Sequence, residues 1–233
     1  MKKIIVSDYD QTFYINNDDI EINKKNIQNF READNLFIIA TGRSYMDFKK
    51  KANAYNLEYD YLIINHGATI LDGDDNIIFN VSIDNSIIDN IKEDMNLEKT
   101  MSHFCCSLFD SRVEFEYKDL TKIEARYYNK EDAWERNEYI NNKYGEYVNS
   151  YFLTSNSIEI ISNKTSKSHA ITVLLEKLHI AKENVYTIGD GYSDMEMIRD
   201  FNGYCMEDSV PELKEITSNV VNSVSELVKI VME

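Results

Sequence analysis

Two aspartates, Asp8 and Asp10, follow the apolar run Ile4-Ile5-Val6 after a single serine, Ser7. Carboxylates this close at the end of a buried strand repel each other and raise one pKa unless a cation neutralises them, and a hard divalent ion with oxygen ligands meets that need. Taken alone, the pair reads equally well as a turn in which both acids cap the residues after them. A second apolar run, Leu36 to Ala40, stops at Thr41-Gly42-Arg43-Ser44. Thr41 and the neighbouring N–H groups can hold a phosphoryl oxygen, although the segment in isolation is also an ordinary strand-to-helix turn with Thr41 or Ser44 as N-cap. A third run, Val185 to Ile188, ends in Gly189-Asp190-Gly191, with Asp194 in the turn beyond. Glycine lets backbone approach a ligand closely, and Asp194 also suits the first turn of a helix, where an acid complements the dipole. Of the seven glycines, Gly42, Gly67, Gly189 and Gly191 fall at the ends of such runs, which chance placement explains poorly.

The elements that must position these residues follow an alternating order. Strand signals at Lys3 to Ser7, Leu36 to Ala40 and Tyr61 to Asn65 alternate with helical periodicity from about Asn23 to Ala33 and again after Ser44. Ala68 to Leu71 and Asn76 to Phe79 flank Asp72-Gly73-Asp74 as a hairpin. From Asn80 to Thr154 the pattern changes. A helix near Ser86 to Met95, strands near Thr100 to Phe109 and Thr121 to Tyr128, and a helix near Lys130 to Tyr144 read as a separate α+β unit. The first pattern then resumes, with a strand at Ser157 to Ile161, a helix at Lys167 to Leu178, a buried strand at Asn184 to Ile188, and helices near Ser193 to Asp200 and Ser223 to Val231. The expected division is an α/β core of residues 1–80 and 156–233 with an inserted unit of residues 81–155. The joins near Asn80 and at Thr154-Ser155-Asn156 are short and polar, as hinges are.

With 25 basic against 41 acidic residues the net charge is −16, which repels nucleic acid and anionic membrane. A phosphorylated ligand is repelled too, so a phosphate site must draw positive potential from a cation, a lysine or backbone N–H groups. No apolar run approaches a membrane span, no export signal is visible, and three cysteines make neither a disulfide framework nor a zinc set. A cytoplasmic chain with free thiols is the expectation.

The order Asp-x-Asp, Ala-Thr-Gly-Arg, a lysine, then Gly-Asp-x-x-x-Asp resembles the haloacid dehalogenase superfamily, in particular the Cof-like phosphatases, over essentially the whole chain. The resemblance implies a Rossmann-like parallel-sheet core with helices on both faces and an inserted smaller α+β cap. It implies a Mg²⁺-dependent phosphoric monoester hydrolase acting on a small phosphorylated metabolite of the sugar phosphate class. Asp8 would be the nucleophile that forms an aspartyl-phosphate, and Asp10 the general acid and base. Thr41, Gly42 and Lys167 would bind phosphate. Asp8, Asp10 through its backbone carbonyl, Asp190 and Asp194, as ligand or supporting partner, would hold the metal. Lys167 follows the acidic-apolar pair Glu159-Ile160 at the family's spacing; Lys164 is the alternative, and either lysine without its context would be a solvated surface residue.

Departures from the family pattern are Gln11 where glycine is usual, Phe13 for leucine, and Ser193 for asparagine. Ser162, Lys164 and Ser168 replace the usual proline and glycines around Lys167. His66 stands where the family often has asparagine, and a local hydrogen bond is expected of it rather than substrate contact. Tyr127, Tyr128 and Trp134 are expected in the core of the inserted unit, and His169 and His179 are not spaced as a metal pair. The competing functions are a phosphotransferase or phosphomutase, a receiver-like domain, and a catalytically silent binder of a phosphometabolite. Receivers place their acid pair ahead of the phosphorylated aspartate, an order this chain does not have. The sequence leaves open the substrate, the acceptor and the oligomeric state.

Overall fold

A computed structural model describes residues 2–153 and 156–233. The first part of the chain runs β1 (Ile4–Ser7), α1 (Asn17–Glu32), β2 (Leu36–Ala40), α2 (Tyr45–Tyr55), β3 (Tyr61–Ile64), β4 (Thr69–Asp72) and β5 (Ile77–Asn80). Helix α1 begins ahead of the expected Asn23 because Asn16 caps it. The Asn16 side chain accepts from the N–H groups of Asp18 and Asp19, two acids that suit a helix N-terminus. The middle runs α3 (Ile88–Asp94), β6 (Thr100–Cys106), β7 (Ser111–Val113), β8 (Lys122–Tyr127), α4 (Lys130–Tyr144), β9 (Val148–Leu153) and β10 (Ser157–Ser162). The last part runs α5 (Lys167–Leu178), β11 (Val185–Gly189), α6 (Met195–Asp200), β12 (Asn202–Met206), α7 (Pro211–Ile216), β13 (Val220–Val221) and α8 (Val224–Met232).

Among the described residues these strands form two sheets. The larger has the order β13-β12-β11-β1-β2-β3-β4-β5, parallel except where β4 meets β3 and β5. Alternation along the strands sends Ile5, Phe37, Ile39 and Leu62 into one apolar layer with α1, α2 and α8. Ile4, Val6, Ile38 and Ile63 enter the opposite layer with α5, α6 and α7. Helices therefore cover both faces, as buried parallel strands require. Strand β1 lies between β11 and β2, so the chain reverses its direction of winding there and opens a crevice at the carboxyl ends of these three strands.

The smaller sheet is antiparallel, in the order β7-β6-β8-β10-β9. The expected core strand at Ser157 to Ile161 is therefore corrected: β10 hydrogen-bonds between β8 and β9, beyond the boundary expected at residue 156. The cause is its pattern, since Ile158 and Ile160 complete an apolar face with Ile123, Ala125 and Tyr127 that packs on α3 and α4. Asn156 precedes β10, which returns antiparallel along β9, so the second join joins strands of one sheet, while Thr154 and Ser155 lie outside the described residues. Tyr127 is buried as expected, but Tyr128 and Trp134 are exposed, Trp134 resting edge-on against Phe152.

Candidate active site

The three sequence motifs sit where β1, β2 and β11 end side by side. Asp8 extends the β1–β11 ladder by one bond, its N–H donating to the Ile188 carbonyl at 2.9 Å. Thr41 does the same from β2, donating to Ile63 at 2.8 Å. Gly189 closes β11, and the Asp194 carboxylate folds back into the space a side chain there would take; a Cβ on Gly189 would stand 2.5 Å from it. That close approach lets Asp194 Oδ2 accept the N–H groups of Asp190 and Gly191, each at 3.0 Å.

Asp8, Asp190 and Asp194 offer carboxylate oxygens within 4.8 Å of one another. Lys167, at the start of α5 and 1% exposed, donates to Asp8 Oδ1 and Asp194 Oδ1 at 2.6 Å each. Burial works against its charge, but Asp194 and Asp8 outweigh it and hold its pKa well above the lysine range. Lys164 is exposed on the preceding loop. Burial pushes the Asp8 carboxyl well above its ordinary pKa despite Lys167, and burial with the charge of Asp194 pushes Asp190 up to about 7. Three clustered carboxylates, those of Asp8 and Asp194 buried, against one ammonium thus leave an unbalanced negative charge, which a divalent cation on hard oxygen ligands would offset. Thr12 donates to Asp190 Oδ1 at 2.7 Å and orients it as a second partner of a metal ligand does.

The Asp10 carboxylate stands outside this cluster. Arg43 grips both of its oxygens, Nε to Oδ2 and Nη2 to Oδ1, at 2.7 Å each. The sequence showed Arg43 as a cation of the second motif but not its partner.

The polar face of the smaller sheet covers the crevice. Together they enclose a cleft of about 600 Å³ lined on one side by Asp8, Asp10, Thr41 and Lys167, and on the other by Phe104, Arg112, Lys122 and Glu124. Lys122 and Glu124 face it because Ile123 and Ala125 point the other way along β8. Burial pushes Glu124 up to about 7. His66 bonds not to a sequence neighbour but to Glu159 on β10. Lys122, Glu124 and Glu159 were missed as site residues; the alternation of charged and apolar residues in Lys122-Ile123-Glu124-Ala125 was the available signal.

A parallel α/β sheet with an acid cluster and a lysine at its switch point, roofed by an antiparallel sheet, defines the class. The family model for haloacid dehalogenase-like hydrolases matches residues 5–112 and 98–228, and the chain belongs to that family. An uncharacterised protein of Mycoplasma capricolum is 30% identical over 86% of this chain and 88% of its own length. A protein of Buchnera aphidicola, provisionally named a phosphatase, is 27% identical over 97% and 96%. The solved haloacid dehalogenase-like hydrolase from Bacteroides thetaiotaomicron superposes with a TM-score of 0.81 at 16% identity, covering 99% of this chain and all of the other, and so shares the fold.

Proposed function

We propose that the chain is a Mg²⁺-dependent phosphatase that hydrolyses a small phosphorylated metabolite of the sugar phosphate class through an aspartyl-phosphate. The observation that carries this reading is the Lys167 ammonium between Asp8 and Asp194, with Asp190 completing the acid cluster. Asp8, the Asp10 backbone carbonyl, Asp190 and Asp194 would hold the cation, which supplies charge neutralisation between an anionic nucleophile and an anionic substrate.

The chain's own residues then divide the work. A phosphoryl group on Thr41, the Gly42 N–H and Lys167 meets positive potential that the net charge of −16 does not otherwise provide. Asp8 attacks phosphorus in line, its carboxylate oxygen forming the P–O bond as the bond to the leaving oxygen breaks. Asp10, oriented by Arg43, gives its proton to the leaving alkoxide. It next takes a proton from the water that attacks the phosphoaspartate, which frees inorganic phosphate and restores the Asp8 carboxylate and the protonated Asp10.

Residues 81–162 serve in this reading as a cap over the core. The hydrogen-bonding groups of Arg112 and Glu124 on this wall suit a polyhydroxyl leaving group better than a flat apolar one. No helix among the described residues is long and apolar enough to cross a membrane, and Cys105, Cys106 and Cys205 are free and buried. Both features accord with a cytoplasmic enzyme.

The test is a phosphate-release screen over phosphorylated metabolites, with Mg²⁺ and with chelator, run beside Asp8→Asn. Release is expected only with Mg²⁺ and only from the unsubstituted chain. Equal release by Asp8→Asn would remove Asp8 from its role.

A further inference from the structure

The loop Thr41 to Arg43 is held by its carbonyls. Thr41 O accepts from the His66 N–H at 3.1 Å and Arg43 O from the Asn65 N–H at 3.0 Å, both donors lying just beyond β3 in the same sheet. Gly42 O is held differently: its donor is Lys122 Nζ at 2.9 Å, from the smaller sheet. Of the loop's amides, Thr41 N–H donates to Ile63 and Arg43 N–H to Thr41 Oγ1 at 3.1 Å. The Gly42 N–H has no partner among the described residues, and Gly42 lines the cleft. A glycine between two unpinned peptide planes samples a wide range of φ and ψ. Here both planes are pinned: the Thr41–Gly42 plane, which carries the Gly42 N–H, by His66, and the Gly42–Arg43 plane by Lys122 together with the Arg43 N–H on Thr41 Oγ1.

Lys122 is fully committed to this task. Its side chain is 3% exposed, and its three protons go to Gly42 O, to Glu159 Oε1 at 2.6 Å and to Glu124 Oε2 at 3.2 Å. An ammonium has three donors, so none is left for a ligand. The other Glu159 oxygen bonds His66 Nε2. Burial holds the His66 ring below the usual histidine range, so the neutral ring carries its proton on Nε2, and the buried Nδ1 has no partner. A Cβ on Gly42 would sit against the His66 ring and 2.9 Å from Glu159 Oε2, so the space beside the loop is filled by these two side chains.

We infer that Lys122 is a positioning residue: reaching across from the smaller sheet, it fixes the Gly42–Arg43 peptide plane beside the free Gly42 N–H and so narrows the range over which that N–H is presented to the phosphoryl group. This rests on the phosphatase reading. It adds that the loop reaches its binding geometry only while the smaller sheet is docked, because one of its three carbonyl anchors belongs to that sheet.

The experiment compares the full chain with Lys122→Met and with Glu159→Gln, which keeps its shape but loses the charge that holds Lys122. Hydrogen exchange of the peptide around residues 39–47 reads the loop, while hydrolysis of p-nitrophenyl phosphate and its inhibition by inorganic phosphate read the site. Lys122→Met is expected to speed exchange in that peptide, weaken inhibition by phosphate, and lower kcat by on the order of 100-fold, the scale of an ångström misplacement, while β8 and β10 keep their protection. Glu159→Gln should show the same pattern more weakly, and it decides the matter if Lys122→Met does not fold. Unchanged loop exchange and phosphate inhibition in an active enzyme would overturn the inference, as would faster exchange spread through the smaller sheet. An unsubstituted chain that neither hydrolyses p-nitrophenyl phosphate nor binds phosphate would instead overturn the phosphatase reading, and this inference with it.

Discussion

Arg43 holds Asp10 through two parallel hydrogen bonds of 2.7 Å, so the acid expected to transfer the proton is occupied on both oxygens. The pair is partly exposed, at 29% and 44%, and adds less than about 1 kcal/mol to stability. Its value is orientation, since a planar guanidinium fixes a carboxylate in a way that a lysine cannot. Arg43→Lys is therefore expected to lower kcat by about tenfold or more with little change in melting temperature. Steady-state kinetics and a thermal melt check this; a variant with unchanged kcat would make the pair incidental.

Lys167 and Lys164 differ in burial, and their alanine variants should differ accordingly. Removing Lys167 leaves Asp8 and Asp194 buried without their cation, a loss of about 3–5 kcal/mol in chelator. Added Mg²⁺ should restore part of that stability, but not turnover. Lys164 is exposed, and its removal should stay within about 0.5 kcal/mol. Urea unfolding and phosphate release on both variants decide the assignment, and a larger loss of turnover in Lys164→Ala would reverse it.

The sequence made β1, β2 and β3 legible because each is an unbroken apolar run that ends at a polar residue. Leu36–Ala40 and the helices Lys130–Tyr144 and Lys167–Leu178 have the expected bounds. Strands β7, β9, β12 and β13 were not expected. Each is short, or carries tyrosine and asparagine among its apolar residues, and its strand character depends on partners distant in the chain. The same limit misplaced β10, whose partners no local pattern names. The acid cluster was readable because its members close adjacent strands. The Lys122, Glu159 and His66 contacts were not, since they join two sheets whose relative placement no motif encodes.

Gln11 adopts φ 61°, in the left-handed region, where the family pattern has glycine. A side chain there costs about 1–2 kcal/mol, and glycine gives back about 0.4–1 kcal/mol through its freer unfolded chain. Gln11→Gly is thus expected to stabilise the protein by up to about 1.5 kcal/mol, read from the urea midpoint at constant slope. A lower midpoint would mean that the Gln11 side chain stabilises the folded state by more than its backbone costs.

Asp190 makes the metal site testable without turnover. Its folded pKa of about 7 lies above the value of about 3.9 for an unfolded aspartate, so the folded state binds the extra proton between those limits. Its contribution to stability is full below about pH 4 and is lost as pH rises through about 7, because ionisation leaves a further buried charge. In chelator, this residue should make the melting temperature fall as pH rises from about 5 to 8, a slope that Asp190→Asn should flatten. A divalent cation binds the ionised carboxylates, so Mg²⁺ should raise the melting temperature more at pH 8 than at pH 5. Equal shifts at both pH values, or none, would separate the acid cluster from metal binding.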